Sequence, residues 1–149
     1  MVDVAIFDYG AGNIFSLKTA LEKNDANVDI ITSFDQSKKY DGLLLPGVGN
    51  FDPAIRSIRD YSALGFHDFV KEKIPVLGIC LGMQLFGTSS EEVNYEHEGL
   101  NWIKGNLVKF IVKKKIPHIG FNGLINLKDD KLFYNINEHS KFYFVHNYY

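Results

Sequence analysis

Six mostly apolar residues, Val2 to Phe7, open the chain and suit a buried strand; they stop at the turn-forming DYGAGN. From Asn13 to Lys23 the apolar period changes. Ile14, Leu17, Ala20 and Leu21 fall at helical spacing and predict one buried helix face. VDIIT, Val28 to Thr32, predicts a second strand. DGLLL, Asp41 to Leu45, predicts a third, halted by PGVG. Asp52 and Pro53 then read as the N-cap and first residue of a helix carried by Ala54, Ile55, Ile58 and Tyr61. Gly65 interrupts that pattern, and Phe66, Phe69 and Val70 continue it. PVLGI, Pro75 to Ile79, predicts a fourth strand, and Leu81 to Phe86 starts the next helix. Strands alternating with helices imply a parallel sheet covered on both faces.

After Gly87 the pattern changes. Trp102 to Val112, Ile116 to Asn126 and Lys141 to Tyr149 all predict strands, and GLNWIKGN and FNGLIN supply turn glycines. The expected fold is therefore α/β, a parallel flavodoxin-like sheet flanked by helices with a β-rich second half, in one domain over residues 1–149. There is no internal repeat, low-complexity tract or linker. Lys113 to Lys115 reads as a solvated turn. The last strand stops at Tyr149 in mid-pattern, which reads as a C-terminally incomplete domain.

Composition narrows the function classes. The 149 residues are 46% hydrophobic and 14% aromatic, enough for one compact core. A net charge of −2 offers no nucleic-acid footprint. No apolar run is long enough to cross a bilayer. Asp3 and Asp8 in MVDVAIFDYG argue against a signal peptide. A lone cysteine forms no internal disulfide, and no Cys/His cluster has structural-zinc spacing. The expectation is a cytoplasmic protein with no metal and no cofactor.

The single cysteine is the candidate for chemistry. Cys80 lies in GICLG, between an apolar strand and a helix, with Gly78 and Gly82 two residues to either side. A nucleophile on a tight strand-to-helix turn stands above the sheet edge. The strand and helix then approach so closely that those two neighbours must be small. Free N–H groups at the helix start favour thiolate. The N–H of the next residue, Leu81, can donate to an oxyanion. PGVG, Pro46 to Gly49, also follows a strand and should share that rim, where parallel sheets bind ligands.

GICLGMQ, Gly78 to Gln84, resembles the nucleophile motif of the class I (triad-type) glutamine amidotransferases. DYGAGN (Asp8 to Asn13), LPGVGNF (Leu45 to Phe51), IPHIGFN (Ile116 to Asn122) and FYFVHNYY (Phe142 to Tyr149) extend it. In this order they resemble the glutaminase subunits of imidazole glycerol phosphate synthases, of histidine biosynthesis, over essentially the whole chain. The resemblance implies that Cys80 attacks the glutamine side-chain amide, releases ammonia and forms a thioester that water cleaves. It implies an oxyanion hole from the N–H of Leu81 and one from Val48 or Gly49. Glutamine would be held by Gly47, Gln84, Asn147 and Tyr148. Ammonia would pass to a (β/α)₈ synthase subunit in a heterodimer, with Asn13, Phe121 and Tyr143 towards that partner.

The chain departs from the family in three places. Phe121 stands where the family usually has tryptophan, and HNYY where serine or threonine more often follows the histidine. The family's base, a histidine with glutamate two residues on in an FHPE-like motif, has no match here. Of the five histidines, His67 falls on a helix, His97 in a loop and His139 before a strand; His118 and His146 match non-catalytic family positions. The expectation is that residues 1–149 by themselves are nearly inactive. Three other readings stand beside this one. They are an amidotransferase of a surface-sugar pathway, a non-catalytic docking or regulatory relative, and a redox protein using the same elbow.

Overall fold

A computed structural model describes residues 1–33, 40–62, 74–94, 97–125 and 128–149. The chain divides into two compact units, Met1–Val108 and Lys109–Tyr149. The first is built on four parallel strands: β1 (Val2–Phe7), β2 (Ala26–Ile31), β3 (Gly42–Leu45) and β4 (Val76–Gly78), in the order β2-β1-β3-β4. Successive residues Ala5, Ile6 and Phe7 are all buried, as are Leu43, Leu44 and Leu45. Side chains alternate across a strand, so the two central strands are covered on both faces. That explains why residues 5–7 and 43–45 read as unbroken apolar runs.

The strand order reverses between β1 and β3. The chain leaves β1 towards one edge and β3 towards the other. The loops after these two strands therefore open a crevice at the carboxyl rim. DYGAGN and PGVG are those loops, and the Cys80 turn follows β4 beside them.

Helix α1 (Ile14–Glu22) is capped by Asn13, whose side chain accepts from the Ser16 amide at 3.3 Å. Its expected buried face is only half realised. Ala20 is exposed, and Ile14, Leu17 and Leu21 are partly covered, because α1 packs against the edge strand β2. Helix α2 (Phe51–Ser62) starts two residues earlier than expected. Asp52 is thus not its N-cap; it lies in the first turn and binds Arg56 at 2.9 Å. The Phe51 amide instead donates to the Glu92 carboxylate at 3.0 Å, from a 3₁₀ turn at Glu91–Val93. Phe51, Ala54, Ile55 and Ile58 form the buried face. The expected break at Gly65 and the positions Phe66, His67, Phe69 and Val70 lie outside the described residues, as does the side chain of Tyr61.

Helix α3 (Leu81–Gln84) is a single turn rather than the run to Phe86 expected. Phe86 bends away and accepts from the Trp102 amide at 2.9 Å, with their rings 5.0 Å apart. A two-residue strand β5 (Ser89–Ser90) pairs in parallel with β6 (Asn106–Leu107). The expected strand Trp102–Val112 contracts to these two residues and an isolated bridge at Lys109. Gly105, with φ +152°, cannot continue an extended run.

The second unit is an antiparallel pair, β7 (His118–Gly123) and β8 (Lys141–His146), both shorter than expected. Asn126, the last residue of the strand expected from Ile116, lies outside the described residues. After His146 the chain stays paired, as Phe110 donates to the Asn147 carbonyl at 3.0 Å. Ile119, Phe121, Tyr143 and Val145 are exposed, while His118, Phe142, Phe144 and His146 are partly covered. Among the described residues no helix is long and apolar enough to cross a membrane.

Candidate active site

Cys80 occupies the position just before α3 and is exposed. Its backbone has φ +53° and ψ −115°, a region that non-glycine residues enter only under constraint. The constraint is visible on both sides. A Cβ on Gly78 would lie 2.5 Å from the Met83 Cα and 2.6 Å from its nitrogen. One on Gly82 would overlap the Leu45 carbonyl oxygen and lie 2.7 Å from the carbon. The two glycines let α3 fold back onto β4 and onto the end of β3. The Ile79 amide donates to the Leu45 carbonyl, and the Gly82 amide to the Ile79 carbonyl, each at 3.0 Å. The strained, exposed turn between two necessary glycines is the geometry of a nucleophile elbow.

The elbow brings Leu81 and PGVG together. A Cβ on Gly47 would lie 2.7 Å from the Gly82 amide nitrogen and 2.9 Å from the Leu81 Cβ. The Gly82 amide is taken by the Ile79 carbonyl, so the donor that the start of α3 offers beside Cys80 is the amide of Leu81, the residue next to it. One turn of helix has few aligned peptides, so α3 carries little macrodipole. Val48 and Gly49 are exposed in the adjoining segment, and Gln84 ends α3. Thus Cys80, Leu81, Gly47, Val48, Gly49 and Gln84 share one region of the first unit.

Two residues of this region escaped the sequence reading. Tyr9 is 1% exposed, and its hydroxyl donates to the Pro46 carbonyl at 2.6 Å. Burial pushes its phenol well above the ordinary value, and charge on Cys80 adds to the shift. Its signal was the tyrosine inside DYGAGN, hidden by the glycines around it. Glu92 puts a carboxylate at the start of α2, directly after PGVGN. Its bond spans 41 positions, which no local pattern reveals.

Asn147, Tyr148, Phe121 and Tyr143 belong to the second unit. There Phe121 pairs with Tyr143 across the strands, the rings 5.3 Å apart and exposed by 70% and 58%. The Asn147 carbonyl accepts from Phe110, and the Tyr148 carbonyl from the His146 ring at 2.8 Å. Asn13, in the first unit, is exposed while it caps α1.

The sequence model of the family described as Glutamine amidotransferase class-I matches residues 5–149. The chain belongs to this family. Among relatives of this amidotransferase is "Imidazole glycerol phosphate synthase subunit HisH 1" of Campylobacter jejuni subsp. jejuni serotype O:23/36 (strain 81-176). It is 45% identical, over 98% of this chain and 74% of that protein. The subunit HisH of Methanocaldococcus jannaschii is 41% identical, over 97% and 72% respectively. The amidotransferase thus spans about three quarters of the length of these curated relatives. Its fold is like that in "Structure of PurLQS from Thermotoga maritima", with a TM-score of 0.67 at 18% identity over 99% of this chain and 68% of that one.

Proposed function

We propose that this amidotransferase is the glutaminase subunit of an imidazole glycerol phosphate synthase. The reading is carried by Cys80 itself, held at φ +53° between Gly78 and Gly82 against the end of β3. The family membership and the relatives' names supply the chemistry such an elbow serves. The Cys80 sulfur attacks the carbonyl carbon of the glutamine side-chain amide. The oxygen becomes an oxyanion, held by the N–H of Leu81 and by that of Val48 or Gly49. The tetrahedral species collapses, the C–N bond breaks, and nitrogen leaves as ammonia once it has gained a proton. Water then attacks the glutamyl thioester, releasing glutamate and returning the thiol.

Gly47, Gln84, Asn147 and Tyr148 hold the substrate in this reading. The Glu92 carboxylate, at the same rim, suits the substrate's ammonium group. Ammonia passes to a (β/α)₈ synthase subunit in the cytoplasm, and Asn13, Phe121 and Tyr143 face that partner. Exposed paired aromatics such as Phe121 and Tyr143 suit an interface.

The test uses a chloroketone analogue of glutamine. Peptide mapping should find the label on Cys80, free glutamine should slow its attachment, and Cys80→Ala should abolish it. Labelling elsewhere, or labelling indifferent to glutamine, would remove the proposal.

A further inference from the structure

One of the oxyanion donors proposed above, the N–H of Val48 or Gly49, sits on a segment that cannot hold itself in place. Gly47 has no side chain, so the torsions beside it are unusually free. It cannot carry one either, because the space is filled by the Tyr9 hydroxyl, the Gly82 amide and the Leu81 side chain. Something else must fix the peptide between Pro46 and Gly47. The Tyr9 hydroxyl reaches its carbonyl at 2.6 Å in a buried setting. A peptide group is planar, so fixing the carbonyl fixes the Gly47 N–H, which points the opposite way. The direction in which the chain enters Val48 and Gly49 is fixed with it.

Tyr9 is itself anchored. The Ser57 hydroxyl, on α2, donates to the Tyr9 carbonyl, and the Tyr9 ring stacks on Phe7 with centroids 6.3 Å apart. Its raised pKa, from burial first and Cys80 second, keeps the phenol a donor at working pH. Around Gly47 the Tyr9 hydroxyl meets Leu81 and Gly82, the two residues that follow Cys80. We propose that Tyr9 is a positioning residue for glutamine cleavage, its hydroxyl setting the Pro46–Gly47 peptide and thereby the aim of the oxyanion donor that follows it. This rests on Cys80 and PGVG acting as proposed above.

Two reagents separate this role from general support of the fold. A chloroketone analogue of glutamine alkylates the sulfur after the sulfur has attacked its carbonyl, a step that needs the oxyanion donors; sulfur then bonds to the methylene carbon as chloride leaves. Iodoacetamide loses iodide to the same sulfur with no oxyanion. Both are used on the 149-residue chain at pH 9, where an ordinary thiol is largely ionised without a base. Tyr9→Phe should lower the saturating chloroketone rate at Cys80 at least tenfold. The half-saturating concentration and the iodoacetamide rate should stay within about twofold. Ser57→Ala should give a smaller fall in the same direction. Unchanged chloroketone rates in a folded Tyr9→Phe overturn the role of Tyr9 alone. A wild-type chain without glutamine-protected labelling overturns the site reading and this role with it. Should Tyr9→Phe lose its circular dichroism signature, Ser57→Ala decides: an unchanged chloroketone rate there overturns the proposal.

Discussion

Gly82 shows how little freedom single residues have at the elbow. An added Cβ would meet the Leu45 carbonyl carbon at 2.7 Å and that of Pro46 at 3.1 Å. Both belong to backbone at the end of a buried strand, which cannot swing aside as a side chain can. Gly82→Ala should therefore cost about 3 kcal/mol in stability. Urea unfolding reads this directly, and a midpoint equal to wild type would show that the close approach is not rigid. Tyr9 makes a second residue-scale prediction. Its folded pKa is raised, by burial first and Cys80 second, so its contribution is fully present below the unfolded value of about 10. That contribution is lost as pH rises further, towards the folded value. Wild type should thus lose stability relative to Tyr9→Phe from about pH 10 upward, while the two run parallel below. Urea midpoints at a series of pH values measure the difference. Parallel curves across pH 8 to 11 would mean that the buried phenol is not what titrates.

At the level of elements, legibility followed how local the cause is. β1 and β3 were plain in the sequence because burial on both faces leaves continuous apolar runs at residues 5–7 and 43–45. The elbow was plain because its requirements, two small residues at fixed offsets, lie within five positions. α1 was found but its burial overestimated, since periodicity reveals which side faces inward and not how much lies above it. The start of α2 was misplaced because its first amide is satisfied by Glu92, far along the chain, rather than by Asp52 beside it. The long strand expected from Trp102 failed for a backbone reason. Apolar content there meets residues at positive φ, Asn101 at +55° and Gly105 at +152°, and so does not become extended structure. The contact between His118 and His146, at 2.9 Å, needs the register of the β7–β8 pair, which sets them opposite each other across 28 positions. Tyr9 was passed over for the same reason: its partner, the Pro46 carbonyl, is set by sheet order.

At the scale of the whole chain the question is where a proton goes. Thioester formation needs one delivered to the departing ammonia, and hydrolysis needs one taken from water. In triad enzymes one imidazole does both, with its second nitrogen held by an acid. None of the five histidines has a glutamate two residues on. The rings of three are tied to neighbours in their own unit. His97 Nε2 lies 2.9 Å from Asp52 and 2.7 Å from Arg56. His118 bonds His146 at 2.9 Å and Asn122 at 2.5 Å, and His146 also bonds the Tyr148 carbonyl at 2.8 Å. His139 is exposed, 3.7 Å from Glu138, and His67 lies outside the described residues. Among the described residues the proposed nucleophile and oxyanion donors thus have no imidazole committed to proton transfer. Elbow and oxyanion hole alone leave a residual acceleration on the order of 10³ over water. Ammonia release from glutamine by this polypeptide should stay near that level, far below the Campylobacter jejuni relative assayed in parallel. Turnover comparable to that relative, abolished by Cys80→Ala and by one of His118→Asn, His139→Asn or His146→Asn, would identify the base among these residues and overturn the expectation.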